Sequence, residues 1–258
     1  MYLAKSIAAS GLRGQQNRID VIANNVANAN TTAFKAARLD FKDALYQRGV
    51  FPGPNRSPDM NIQRGHGLMV AGIGRDWRTG NFERTERPLD LALENEGFFA
   101  LQNFNGELVY TRNGSFHLSV EAEGTFLVNG EGLYVLDVNG ARIMIPFGVN
   151  TINVDSSGNM QFRIGEDVVG GATLGIYTFR NLTGLEAAGN GNFTQGPSAG
   201  VRLPAENIVV RQGILEGSNL NLSEDMTRLI RTQRAFQLSS RALTTADEME
   251  GIANNMRR

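Results

Sequence analysis

The sequence contains no cysteine, one tryptophan and only two histidines in 258 residues. Without thiols there are no disulfides and no thiolate metal sites, and His66 and His117 alone supply a transition-metal site poorly. No apolar run reaches the roughly 18 residues that a membrane helix needs, so no membrane insertion is expected. The 25 bases and 26 acids nearly cancel, to a net charge of −1, which gives no basic surface for nucleic acid or anionic lipid. A secretory signal is also missing. Lys5 and Ser6 interrupt the start, and Arg13, Gln15 and Gln16 follow without an apolar core. A chain of this kind is expected to leave the cytoplasm, if it does, by a route that needs no cleavage.

Catalytic patterns are equally scarce. Gly65-His66-Gly67 and Gly72-Ile73-Gly74 lack both the strand–glycine–helix context of a dinucleotide site and the Gly-Lys-Ser/Thr of a phosphate loop. His66 between glycines reads as a loop residue. Asp155-Ser156-Ser157-Gly158-Asn159 is rich in oxygen ligands but lacks the spacing and closing glutamate of a calcium loop, so a β-turn is expected. Carboxylates such as Asp90, Glu94 and Glu96 could pair for acid–base work, but exposed strand or turn positions are expected for them. No enzyme, metal or cofactor follows from these residues.

What the sequence does have is a change of period, twice. Ala8, Leu12, Gln15, Ile19, Ile22, Val26 and Ala29 alternate at four and three residues, a heptad seam on a helix expected over 3–28. Phe34, Ala37, Phe41 and Leu45 fall on one face of a second, short amphipathic helix. Phe51-Pro52-Gly53-Pro54-Asn55 breaks that pattern, and the polar, glycine-rich stretch to Gly74 reads as a linker or loose hairpin.

From Trp77 the period becomes two. Apolar segments at 89–93, 98–101, 126–128 and 133–136 are separated by turn dipeptides such as Asn105-Gly106, Asn129-Gly130, Asn139-Gly140 and Ser157-Gly158. Asn-Gly accepts the positive φ of tight hairpins at little steric cost. An antiparallel β domain is therefore expected to about Arg211. After Gly213 the helical period returns: Leu222, Met226, Leu229, Phe236 and Leu243 keep four–three spacing through Gln233 and Ser240. Ser223, Glu224 and Asp225 suit a helix start.

The expected architecture is α+β. N- and C-terminal helices pair in a coiled-coil-like core, with an antiparallel β domain inserted between them. The parts are 1–46 helical, 47–76 linker or hairpin, 77–212 β domain and 213–258 helical. Each seam is narrow, and its small residues (Ala4, Ala8, Ala9, Gly11, Gly14) allow close approach. Burying Leu12, Ile19, Ile22 and Val26 gains at most roughly 6–12 kcal/mol, against about 1–2 kcal/mol per residue ordered. Such helices are expected to fold fully only when further subunits cover them.

The run Ala23-Asn24-Asn25-Val26-Ala27-Asn28-Ala29-Asn30-Thr31-Thr32-Ala33-Phe34-Lys35 resembles the N-terminal signature of the flagellar rod and hook proteins, A-N-N-apolar-A-N-x-x-T-x-G-F/Y-K, with Ala33 where glycine is usual. Thr79-Gly80-Asn81-Phe82, Arg87-Pro88-Leu89-Asp90-Leu91-Ala92-Leu93 and Gly97-Phe98-Phe99 resemble the pattern Q-G-N, L-D-V-A-I and G-F-F, with Glu94 in place of a glycine. Tyr110-Thr111-Arg112-Asn113-Gly114-Ser115-Phe116 is similar to Y-T-R-x-G-x-F. Leu215-Glu216-Gly217-Ser218-Asn219-Leu220-Asn221 and Gln233-Arg234-Ala235-Phe236 resemble the closing signature, S-N-V and Q-R-A-Y.

The resemblance implies a structural subunit of the bacterial basal body, exported uncleaved by the flagellar type III apparatus. It implies helical self-assembly through the terminal helices and transmission of torque from motor to hook. Partners would be copies of itself, other rod and hook subunits, and the rings surrounding a rod. Leu45-Tyr46-Gln47 with Pro52-Gly53 looks like the distal-rod type, and Asp247-Glu248-Met249-Glu250-Gly251 like the proximal type; the balance favours distal. Self-assembly would fall to Leu12, Ile19, Ile22, Asn24, Asn25, Val26, Asn28 and Phe34 at one end. At the other it would fall to Ser218, Asn219, Leu222, Met226, Leu229, Ile230, Gln233, Arg234, Phe236 and Leu243. A cell-wall hydrolase and a dimeric β module with helical arms are the rival readings.

Overall fold

The computed structural model describes residues 2–44, 47–48, 63–65 and 67–256. They form two compact units, each assembled from separated pieces of chain. The helical unit takes residues 1–27, 37–75 and 221–258, and the β unit takes 28–36 and 76–220.

In the helical unit, helix α1 (Tyr2–Ala27) and helix α2 (Leu222–Asn255) run antiparallel. Lys5 near the start of α1 reaches Asp247 and Glu250 near the end of α2, each at 2.5 Å. Asn221 caps α2 by accepting from the Glu224 N–H at 3.2 Å, and Glu224 and Asp225 place acid against the helix dipole.

The segment expected as a short helix is a strand instead. Ala37–Asp43 pairs antiparallel with Leu68–Arg75, from Ala37 opposite Arg75 to Asp43 opposite Leu68, with a bulge between Asp40 and Phe41. Gln47–Arg48 and Gln63–Arg64 extend the hairpin. Phe34, Ala37 and Phe41 do fall at helical spacing, but Ala37, Leu39 and Phe41 also alternate with Arg38, Asp40 and Lys42. The second pattern prevails: the inward residues are covered and the charged ones exposed. Leu45 lies outside the described residues.

The hairpin lies on the side of α1 that carries Ser10 and Gly14. A side chain at Gly14 would come within 2.6 Å of the Leu68 side chain and 3.2 Å of the Phe41 ring. The Arg18 guanidinium lies 4.6 Å from the centre of that ring. The Ser10 hydroxyl accepts from the Leu68 N–H at 3.3 Å.

The β unit is antiparallel throughout. Its largest sheet runs Met144–Ile145, Gly124–Asn129, Tyr134–Val135, Phe98–Gln102, Leu108–Thr111, Asn192–Gln195, Leu185–Gly189, with Ile176–Phe179 also on Phe98–Gln102. A second sheet holds Thr151–Val154, Asn159–Ile164 and Asp167–Thr173. Strand Ile214–Glu216 pairs with Phe82–Arg84, and Val210–Gln212 with Leu91–Leu93. Phe99, Leu101, Phe116, Leu127, Ile143 and Phe162 fill the core. A second cluster stacks Trp77, Phe98, Phe179 and Phe193 edge to face. Asp155 accepts from the N–H groups of Ser157 and Asn159 at 2.8 and 3.0 Å, the hairpin turn the sequence suggests.

Candidate assembly site

In the β unit the signature residues converge on a buried ionic cluster. Lys35 Nζ donates to Glu216 Oε1 at 2.6 Å and to the Arg78 carbonyl at 2.7 Å. Arg112 Nε donates to Glu216 Oε2 at 2.8 Å, and the Gly80 N–H to Oε1 at 2.9 Å. The rest of the Arg112 fork holds the end of strand Leu91–Leu93 and the loop after it, at the carbonyls of Leu93, Asn95 and Gly97. Both sides of the Lys35–Glu216 pair are fully out of solvent.

Burial pushes the Lys35 ammonium below its ordinary value, with Glu216 opposing and Arg112 adding to the shift. Burial alone would raise the Glu216 carboxyl. Arg112, Lys35 and the Gly80 N–H together hold it below its ordinary value.

Neighbouring signature residues hold backbone. Asn219 accepts from the Ala36 N–H at 2.9 Å and donates to the carbonyls of Asp76 and Arg78. Its own N–H reaches the Phe34 carbonyl at 3.3 Å, and Ser218 Oγ accepts from Leu220 at 3.3 Å. Asn28 begins a turn whose carbonyl accepts from Thr31. Ala33 is buried with φ +56°, its N–H donating to the Glu216 carbonyl at 2.7 Å. The residue in place of glycine thus keeps the left-handed turn. Glu94 takes another course, pairing with Arg211 at 2.9 Å.

In the helical unit Asn25 is buried and acts as a strand edge in miniature. Its amide donates to the Ala37 carbonyl at 2.8 Å and its oxygen accepts from the Ala37 N–H at 2.9 Å. Ile22 is buried, while Leu12, Ile19 and Val26 are half-buried and Asn24 is exposed. On α2 the half-buried Leu229, Phe236 and Leu243 alternate with buried Asp225 and Thr232 and half-buried Ser239 and Ala246. Leu222, Met226, Ile230, Gln233 and Arg234 are exposed. The covered stripe therefore shares only every second position with the apolar heptad of the sequence.

Asp90 departs from expectation: it is 1% exposed, with Arg87 3.6 Å away, whereas Glu96 is exposed. His117 is exposed on strand Phe116–Glu121, and His66 lies outside the described residues. Among the described residues no three His, Cys, Asp or Glu gather as metal ligands, and no helix is long and apolar enough to cross a membrane. Sequence reasoning did not pick out Lys35, Arg112 or Glu216 as functional, although each stands inside a recognised motif.

Three stretches match families by sequence. Residues 6–35 match "Flagella basal body rod protein", 92–162 "Flagellar hook protein FlgE/F/G D1 domain" and 211–256 "Flagellar basal body rod FlgEFG protein C-terminal". The chain is 34% identical to the flagellar basal-body rod protein FlgG of Borreliella burgdorferi, over the whole of both chains. It is 35% identical to FlgG of Agrobacterium fabrum, over 97% of this chain and 98% of that one. With FlgG of Bacillus subtilis it shares 34% identity, over 96% and 97%. Matches of that length, with the motif residues converging in the fold, make this chain a member of the flagellar basal-body rod protein family, a FlgG-like structural subunit and not an enzyme.

Proposed function

We propose that the chain is a distal-rod subunit that polymerises helically through its terminal helices and carries torque along the resulting shaft. The observation behind this reading is the surface of α2. Leu222, Met226, Ile230, Met249 and Ile252 are each between 44 and 58% exposed, while Leu229, Phe236 and Leu243 are covered. A helix that leaves these apolar side chains exposed has surface left for another copy. The FlgG relatives, matched end to end, support the distal type. Neighbouring rod and hook subunits would meet the same helices, and passage through the flagellar export apparatus belongs to this reading.

Torque acts on every joint of a shaft in series, so each contact must resist shear. Buried polar locks such as the Asn25–Ala37 exchange suit that demand by holding the strand to the helix in one register. The test is Met226→Asp with Ile230→Asp in the purified full chain. Both residues are exposed in the single chain, so circular dichroism should be unchanged. Electron microscopy should show polymers for the wild type and none for the variant. Normal polymers from the variant would refute this surface as the assembly site.

A further inference from the structure

The charges of the helical unit are sorted by position. Between positions 228 and 241 α2 carries Arg228, Arg231, Arg234 and Arg241 and no acid; between 247 and 250 it carries Asp247, Glu248 and Glu250 and no base. The macrodipole does not account for this, because it acts within the first and last turns and these charges lie between the two.

Partners within the chain absorb only part of the charge. Arg228 is held by Glu224 at 2.5 Å and Asp225 at 3.3 Å. Arg231 and Arg234 form no ion pair among the described residues. Arg231 lines a cleft of about 470 Å³ together with Arg18, Arg38 and Arg228 and with Asp40 and Asp225. At the other pole one cation, Lys5, serves both Asp247 and Glu250, and Glu248 is exposed without an ion pair among the described residues. Lys5 is held well above its ordinary value by its hydrogen bonds to Asp247 and then Glu250, so it stays charged and already committed.

We infer that the acidic pole of one copy docks on the arginine pole of the next, head to tail, as the electrostatic register of the polymer. The inference rests on the rod reading above and names the contact within it. The occupant is a second copy because the complementary charge is on this same chain, about 22 Å along the helix from pole centre to pole centre at 1.5 Å per residue. A head-to-tail match leaves one unmatched pole at each end, and where its rotation does not close a ring it continues as an open assembly. The exposed apolar face supplies adhesion, and the charged poles select the axial position and reject sideways slips that bring like charges together.

The experiment uses the purified full chain, with assembly followed by sedimentation and electron microscopy. Arg231→Glu with Arg234→Glu should raise the concentration needed for assembly by roughly tenfold or more, and so should Asp247→Lys with Glu248→Lys. Mixing the two variants, or joining all four substitutions in one chain, should restore assembly, which a folding defect would not allow. Wild-type assembly should weaken as salt rises. Unimpaired assembly of either double variant, or no recovery in the fourfold variant, overturns the inference. Recovery as closed dimers alone overturns it as well. If Met226→Asp with Ile230→Asp still blocks assembly, the rod reading survives that failure. If the wild type forms no polymer, both fall.

Discussion

At the scale of single residues, Ala33 and Glu216 carry the clearest consequences. An L-residue in the left-handed region costs about 1–2 kcal/mol, and Ala33 sits there at φ +56°. Ala33→Gly relieves that cost and gives back part of it as unfolded-chain entropy. A net gain of about 0.5–1 kcal/mol, read as a higher midpoint in denaturant, is expected. Glu216 is the hub of a buried cluster, so Glu216→Gln leaves Lys35 and Arg112 without a counter-charge, at a cost of about 3–5 kcal/mol. Its folded-state pKa lies below the ordinary 4.5. Below that ordinary value the unfolded chain therefore binds more protons than the native one. The stability contributed by Glu216 is full above it and is lost as pH falls through the lower folded-state value. Thermal melts between neutral and acid pH should show that decline, and the Gln variant should show less of it.

At the scale of elements, legibility followed how many residues stated the same pattern. The two long helices repeat theirs over several turns, and the Asn-Gly turns mark hairpins with their own backbone chemistry, so both were readable. The strand Ala37–Asp43 was not, because seven residues fit both periods and the partner strand Leu68–Arg75 is distant in sequence. On α2 the covered stripe uses Asp225, Thr232 and Ser239; Asp225 accepts from Arg228 at 3.3 Å and Thr232 Oγ1 donates to the Arg228 carbonyl at 2.8 Å. Counting apolar residues passes over such positions and selects Leu222 and Met226, which are exposed. The two sets should therefore respond differently. Leu229→Asp places a carboxylate against α1 and should lower the stability of the single chain, whereas Met226→Asp should leave that stability within about 0.5 kcal/mol of wild type, both read from denaturant unfolding. Equal destabilisation by both would mean that α2 is rotated from the orientation described.

At the scale of the whole molecule, the sequence order hides where the β unit ends. Period and turn composition set it at 77–211, but its ionic cluster draws Lys35 from before the first strand hairpin and Glu216 from beyond position 211. Arg112 is 3% exposed and donates four hydrogen bonds, one of them to Glu216. A fragment cut at 77–211 would bury that guanidinium with no carboxylate, at a penalty of about 3–5 kcal/mol. Extending it to 76–220 restores Glu216 and Asn219, but residues 28–36 are still missing. They bring Lys35, the Ala33 N–H on the Glu216 carbonyl and the Phe34 carbonyl that accepts from Asn219. The fragment 76–220 should consequently melt below the same unit in the full chain, and a synthetic peptide of residues 28–36 should bind it and raise its melting temperature. The peptide with Lys35→Met should bind much more weakly, because it offers the buried carboxylate no second cation. Calorimetric titration of both peptides decides the matter. Equal binding of the two, or a fragment as stable alone as in the full chain, would show that the signature stretch is a passing connection and not a structural part of the β unit.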